Sequence, residues 1–180
     1  KALEIVKALQ KRLNVIASAA KQSSPNLEIA NPQSTTVGPP SAPRNDGWKP
    51  KILIIEWLGP LMVAGHWVPE MVEIAGGKML ITKPAQKSKY ISETEIKKLK
   101  PDIIIIAPCG FDIRRTLKEK DLIEKTAMLL PKDCKLFLID GNSYLTRPGP
   151  RIINGVEILS EIIHPEIFSR KHNKKDWSTY

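Results

Sequence analysis

Glu56, Trp57, His66 and Trp67 fall within one short stretch, Ile52-Leu-Ile-Ile-Glu-Trp-Leu-Gly-Pro-Leu-Met-Val-Ala-Gly-His-Trp-Val-Pro-Glu. A carboxylate, an imidazole and two indoles this close together can hold a ligand through aromatic faces and a few polar contacts. Two further clusters share this chemistry. Pro108-Cys109-Gly110-Phe111-Asp112 offers a thiol and a phenyl ring, and Asp140-Gly-Asn-Ser-Tyr144 with Arg147-Pro-Gly-Pro-Arg151 offers a phenol and two guanidinium groups. Cys109 near a helix start is a candidate nucleophile, but the sequence places no histidine or acid to activate it. His66, His164 and His172 lack metal-ligand spacing. No Gly-x-Gly-x-x-Gly follows any strand, so Asp140 does not complete a dinucleotide fingerprint. The expectation is therefore a binding site with no catalytic residue, no metal and no required cofactor.

Each candidate also has a plain structural reading. His66 either caps the following helix or contacts a ligand. Trp57 and Trp67 are core or site, since tryptophan is buried on average. Arg147 and Arg151, flanking two prolines, either fix a turn or meet an anion or a partner.

The elements that must position these residues follow from the apolar pattern. Ile52–Glu56, Ile103–Ala107 and Leu136–Asp140 are apolar along their length and alternate with helices over 66–75, 112–130 and 150–163. Such strands need cover on both faces. The predicted fold class is α/β, a three-layer lobe with a mainly parallel sheet between helices. A break in helix 112–130 is expected near Lys120-Asp121. Lys78–Thr82 reads as a short strand, and Ser92-Glu-Thr-Glu95 as a capping box opening a helix to Lys100. The three site clusters then sit at the carboxyl ends of the strands, where open α/β sheets bind ligands.

Leu3, Val6, Leu9, Leu13 and Ile16 repeat at three and four, giving an amphipathic helix over 2–21. Its apolar stripe is expected to pack on the sheet domain or on another lobe. Residues 22–50 carry Ser-Ser-Pro, Gly-Pro-Pro and Ala-Pro and read as a linker or insertion, with Trp48 an anchor onto the following domain. Residues 51–165 form the lobe, and 166–180 a polar basic tail, docked or frayed. The first residues are already helical, with neither an initiator Met nor a leader pattern, so the chain reads as a segment of a longer protein.

The 180 residues are 42% hydrophobic and 26% charged, with no apolar run of the ~18 residues a membrane span needs. The net charge of +9 is dispersed, without the aromatic-basic interleaving of a nucleic-acid platform. Nucleic acid is not expected as a partner. Cys109 and Cys134 fall at opposite ends of neighbouring parallel strands, too far apart for a disulfide, and are expected as free thiols.

Glu56-Trp-Leu-Gly-Pro60, Ala64-Gly-His-Trp-Val-Pro-Glu-Met-Val-Glu-Ile-Ala-Gly-Gly77, Lys100-Pro-Asp-Ile-Ile-Ile-Ile-Ala-Pro-Cys-Gly-Phe111 and Asp140-Gly-Asn-Ser-Tyr-Leu-Thr-Arg-Pro-Gly-Pro-Arg151 occur in that order. Together they resemble the substrate-binding proteins of ABC importers, and more narrowly the cobalamin- and iron-siderophore-binding type. The resemblance implies that residues 51–165 are the C-terminal lobe and that helix 2–21 is the tail of an inter-lobe helix. It implies a non-enzymatic binding function for cobalamin or another tetrapyrrole- or siderophore-like molecule. Glu56, Trp57, His66, Trp67, Cys109, Phe111, Tyr144 and Arg147 would line one wall of the site. The implied partners are an N-terminal lobe and an ABC permease, in an extracytoplasmic setting. The alternative is a fold reused as a structural or scaffold subunit of a larger assembly, with an organelle as its setting.

Overall fold

The structure, a computed structural model, describes residues 2–22 and 49–180. The linker expected over 22–50, with its Trp48, lies outside the described residues save for its ends.

The elements run α1 (Ala2–Gln22), β1 (Lys51–Leu58), β2 (Leu61–Val63), α2 (Val68–Ile74), β3 (Lys78–Met79), β4 (Lys89–Tyr90), α3 (Glu93–Leu99), β5 (Ile103–Ile106), α4 (Ile113–Thr116), a 3-10 turn (Leu117–Glu119), α5 (Lys120–Ala127), β6 (Lys135–Ile139), α6 (Gly141–Tyr144), α7 (Ile152–Ile163) and β7 (Trp177–Thr179). The sheet order is β4-β2-β1-β5-β6-β7, with β3 also on β1. β1, β5 and β6 are parallel and in register, Ile54 opposite Ile105 and Ile105 opposite Phe137. Ile52–Ile55 and Ile104–Ile106 are wholly buried, as double-sided cover demands. The molecule is the expected three-layer α/β lobe with a mainly parallel sheet and a long leading helix. No helix among the described residues is long and apolar enough to cross a membrane.

Helices α1, α2 and α7 pack on one another. Gly77 lets them close over β1, since a Cβ there would stand 2.8 Å from Ile52 and 3.2 Å from Ile163. On α1, Ile16 is buried and Leu13 packs on the core, while Leu3 and Val6 are 67% and 59% exposed. The predicted stripe thus docks only through its second half. Arg12 fixes that half, its guanidinium donating to both carboxylate oxygens of Glu157 at 3.0 and 2.6 Å and to Asn154 at 3.1 Å. Elsewhere, Lys125 on α5 bridges to Glu93 on α3 at 2.8 Å. Ser92 and Glu95 form the predicted capping box.

Several local expectations change. The strand expected over Ile52–Glu56 continues to Leu58, turns at a cis Gly59-Pro60 peptide and returns antiparallel as β2 before the helix begins. A return strand of three residues is too short for a periodic signal. The helix expected over 66–75 starts at Val68, because His66 has a left-handed backbone (φ 57) that no helix accommodates. The strand expected over 78–82 pairs only through Lys78 and Met79. The helix expected over 112–130 is interrupted at Leu117–Glu119, close to the anticipated break.

The C-terminal residues are docked. β7 pairs antiparallel with β6, Ile139 opposite Trp177, and Trp177 is 7% exposed. The anchor is Glu161, a carboxylate on α7 that is 4% exposed. It accepts from the Trp177 indole at 2.8 Å and from the Lys171 amide at 3.0 Å, and His172 Nδ1 is hydrogen-bonded to it at 2.8 Å. These three hydrogen bonds offset the cost of burying the carboxyl group. Arg170 lies over the Trp177 ring, 3.8 Å from its centroid, and donates to the Trp177 carbonyl.

Candidate functional site

The carboxyl ends of β1, β5 and β6 bring the three sequence clusters to one rim. Backbone bonds stitch them. The Cys109 amide donates to the Glu56 carbonyl at 3.0 Å, and the Asn142 amide donates to the Phe111 carbonyl at 3.2 Å. Gly141 permits the second approach: a Cβ there would lie 2.5 Å from the Pro108 carbonyl oxygen and 2.6 Å from that of Ala107.

On the β1 side, Trp57 and Phe111 meet with ring centroids 5.6 Å apart and planes tilted by 57°. Trp57 is 38% exposed, and its indole nitrogen is used locally, donating to the Gly59 carbonyl at 3.1 Å. Its ring thus contributes an apolar face rather than a donor. Arg115 lies over the Phe111 ring, its guanidinium carbon 4.2 Å from the centroid, held by Glu119 at 2.6 Å. A guanidinium over a phenyl face is a cation–π contact. Glu56 is half-buried, and Cys109 is an exposed free thiol. Cys134 sits at the other end of the sheet, and burial pushes its thiol up to about 11. The cysteines therefore stand apart, as their strand positions imply.

The second part of the rim is His66 and Trp67. Gly65 is pressed against the 86–88 loop, where a Cβ would lie 2.4 Å from the Ser88 nitrogen. The Gln86 carbonyl accepts from the His66 amide, and the Ala85 amide donates to the His66 carbonyl at 2.8 Å. These bonds set the left-handed turn at His66 and leave its imidazole exposed beside Trp67, centroids 5.8 Å apart. His66 does not cap α2: the N-cap is Trp67, and no side chain caps it. Trp67, half-buried, donates its indole N–H to the Leu145 carbonyl at 2.8 Å. That bond ties the second part of the rim to the third.

The third part is α6 together with residues 145–151. Asp140 caps α6 by accepting from the Ser143 amide at 2.9 Å, which accounts for its place at the strand end. Tyr144 is not a free polar handle. Its hydroxyl donates to Asp176 at 2.7 Å, and its ring stands edge-on to His172 at 6.3 Å. Burial, then the Asp176 carboxylate, pushes the phenol up to about 12. Arg147 is exposed and makes no hydrogen bond or ion pair with the described residues.

The rim thus gathers Glu56, Trp57, Cys109 and Phe111 in one group. Trp67 bridges from His66 to the α6 end, Tyr144 is committed to the C-terminal segment, and Arg147 is unengaged. Two residues were missed in the sequence. Arg115 lies in the first turn of α4 while Phe111 precedes the Asp112 N-cap, so no helical spacing announced the pair. Asp176 had no local signal, because its partner lies far away in the chain. Among the described residues no three His, Cys, Asp or Glu side chains are placed to hold a metal.

Solved structures of periplasmic binding proteins share this fold. No protein-family model and no curated protein matches the chain; the likeness is structural. A periplasmic heme binding protein from Pseudomonas aeruginosa superposes with a TM-score of 0.64 at 19% identity, over 98% of this chain and 56% of its own. An ABC transporter substrate-binding protein from Listeria monocytogenes EGD-e gives 0.61 at 14%, over 91% and 57%. A periplasmic vitamin B12 binding protein of Vibrio cholerae gives 0.56 at 12%, over 86% and 50%. The chain therefore spans about half the length of these solved structures.

Proposed function

We propose that residues 51–165 form the C-terminal lobe of a two-lobed, non-enzymatic binding protein. Its ligand is a large, flat, partly anionic molecule of the tetrapyrrole class, cobalamin or haem. The observation that carries this reading is the Trp57–Phe111 pair, open to solvent on a rim backed by Arg115. An aromatic face supplies contact area, and a neighbouring guanidinium recognises a carboxylate or phosphate substituent. The solved structures that share the fold include heme and vitamin B12 binding proteins. A second lobe would close the site, and an ABC permease would receive the cargo in an extracytoplasmic compartment.

The test is a titration of the full-length protein with haemin and with cyanocobalamin, monitored by visible absorbance and calorimetry. Saturable binding of one of them, weakened about tenfold or more by Trp57→Ala, is expected, in line with the loss of a central aromatic contact. No binding of either at high micromolar concentration would refute the reading.

The second reading is a scaffold subunit. Leu3, Ile5 and Val6 on α1 are each more than half exposed, and an apolar patch of this kind marks a surface that another body covers. Size-exclusion and crosslinking decide between them: a monomer that binds haemin or cyanocobalamin excludes the scaffold reading.

A further inference from the structure

We infer that Asp176 is a positioning residue for the rim, holding the third rim loop in place from the C-terminal segment. The inference rests on the binding reading above but is carried by a separate set of contacts. Asp176 grips α6 at both ends. Its carbonyl accepts from the Asp140 amide at 3.0 Å, at the start of the helix, and its Oδ1 accepts from the Tyr144 hydroxyl at 2.7 Å, at the end. Its second oxygen, Oδ2, accepts from the Asn173 amide at 2.9 Å.

The contacts that α6 carries explain why this grip reaches the rim. The Leu145 carbonyl, next to Tyr144, receives the Trp67 indole at 2.8 Å. The Asn142 amide, inside α6, reaches the Phe111 carbonyl at 3.2 Å. Two aromatic rim residues on two other loops are thus tied to a four-residue helix, too short to hold its own position. Asp176 is itself placed by the Glu161 anchor, which fixes His172 and Trp177 on either side of it. The relay runs from Glu161 through the C-terminal segment to Asp176, then through Tyr144 and α6 to Trp67. The Tyr144 hydroxyl is spent on Asp176 rather than on a ligand, and its role is to transmit position.

The test uses full-length protein carrying Tyr144→Phe or Asp176→Ala, with two readouts. The first is affinity for haemin and cyanocobalamin. The second is hydrogen exchange of the Trp67 indole N–H by NMR, which needs no ligand. Tyr144→Phe removes one hydroxyl and keeps the ring, so it leaves the fold intact. The relay expects both variants to bind roughly three- to tenfold more weakly, the usual effect of losing one ordinary hydrogen bond, and the Trp67 N–H to exchange several-fold faster. Unchanged Trp67 exchange in both variants overturns the relay, whatever happens to affinity, because weaker binding alone would mean that Tyr144 touches ligand directly. Faster exchange with wild-type affinity also overturns it as a determinant of binding. If wild-type protein binds neither probe, the binding reading fails, and Trp67 exchange alone judges the relay.

Discussion

Ile105→Asp tests the architecture at its centre. Ile105 is 0% exposed on β5, between Ile54 of β1 and Phe137 of β6. Losing the burial of its side chain costs about 2 kcal/mol. Burying even a neutral carboxyl among aliphatic neighbours, with no donor or acceptor to meet it, adds about 1–3 kcal/mol. The sum, about 3–5 kcal/mol, is a large share of the ~5–15 kcal/mol that holds a domain together. At this chain length it corresponds to a fall of roughly 10–15 °C in the thermal midpoint. The pH dependence has a definite sign. The introduced acid is buried only when protonated, so its folded pKa lies above its unfolded value near 3.9. The folded state then holds the extra proton, and stability falls as pH rises above about 4. Thermal melts monitored by circular dichroism at pH 4 and 7, referenced to wild type at each pH, should show the larger deficit at pH 7. Ile105→Val is the control, at about 1 kcal/mol. An Ile105→Asp midpoint within about 2 °C of wild type would mean that β5 is not central, and the sheet order would be wrong.

Legibility tracked the range of the interactions involved. Ile52–Ile55 and Ile103–Ile106 are continuous apolar runs, and such runs announce buried parallel strands without knowledge of anything distant. The capping box at Ser92 was equally plain, because both partners are three residues apart. The β1–β2 hairpin was not, since Leu61–Val63 carries too few residues to show a period. The split of α4 from α5 was anticipated in place but not in form.

The site divides in the same way. The strand-end rule brought Glu56, Trp57, Cys109 and Phe111 to one rim, and contacts between their loops are present. Tyr144 and Arg147 lie in the same third cluster but differ in kind. Tyr144 is taken up by Asp176, 32 positions away, and no spacing in the sequence reports such a pairing. His66 was read as a helix start; the Gln86 and Ala85 contacts that turn its backbone come from a loop beyond α2. Glu161 was invisible for a related reason. A glutamate in an apolar helix gives no hint that three groups from one later segment will surround it.

Two further outcomes can be checked. At pH 8 iodoacetamide should label exposed Cys109 well before Cys134, whose thiol near 11 leaves only about 0.1% thiolate; equal rates by mass spectrometry would contradict the burial of Cys134. The second concerns Glu161→Gln, a change of almost no volume. The three groups around Glu161 are the Trp177 indole N–H, the Lys171 amide N–H and His172 Nδ1. The Trp177 indole donates to Oε2 and the Lys171 amide to Oε1, so each oxygen of Glu161 already meets an N–H donor. An amide replaces one acceptor oxygen with an NH2 group, which sets donor against donor and leaves at least one buried N–H without a partner. The expected cost is about 1–3 kcal/mol, read as a lower midpoint in urea with an unchanged slope. Amides of Trp177–Thr179 should lose protection from hydrogen exchange before those of β5, because the anchor serves the C-terminal strand and not the sheet centre. A Glu161→Gln protein with a wild-type midpoint would show that the Glu161 anchor does not contribute to stability.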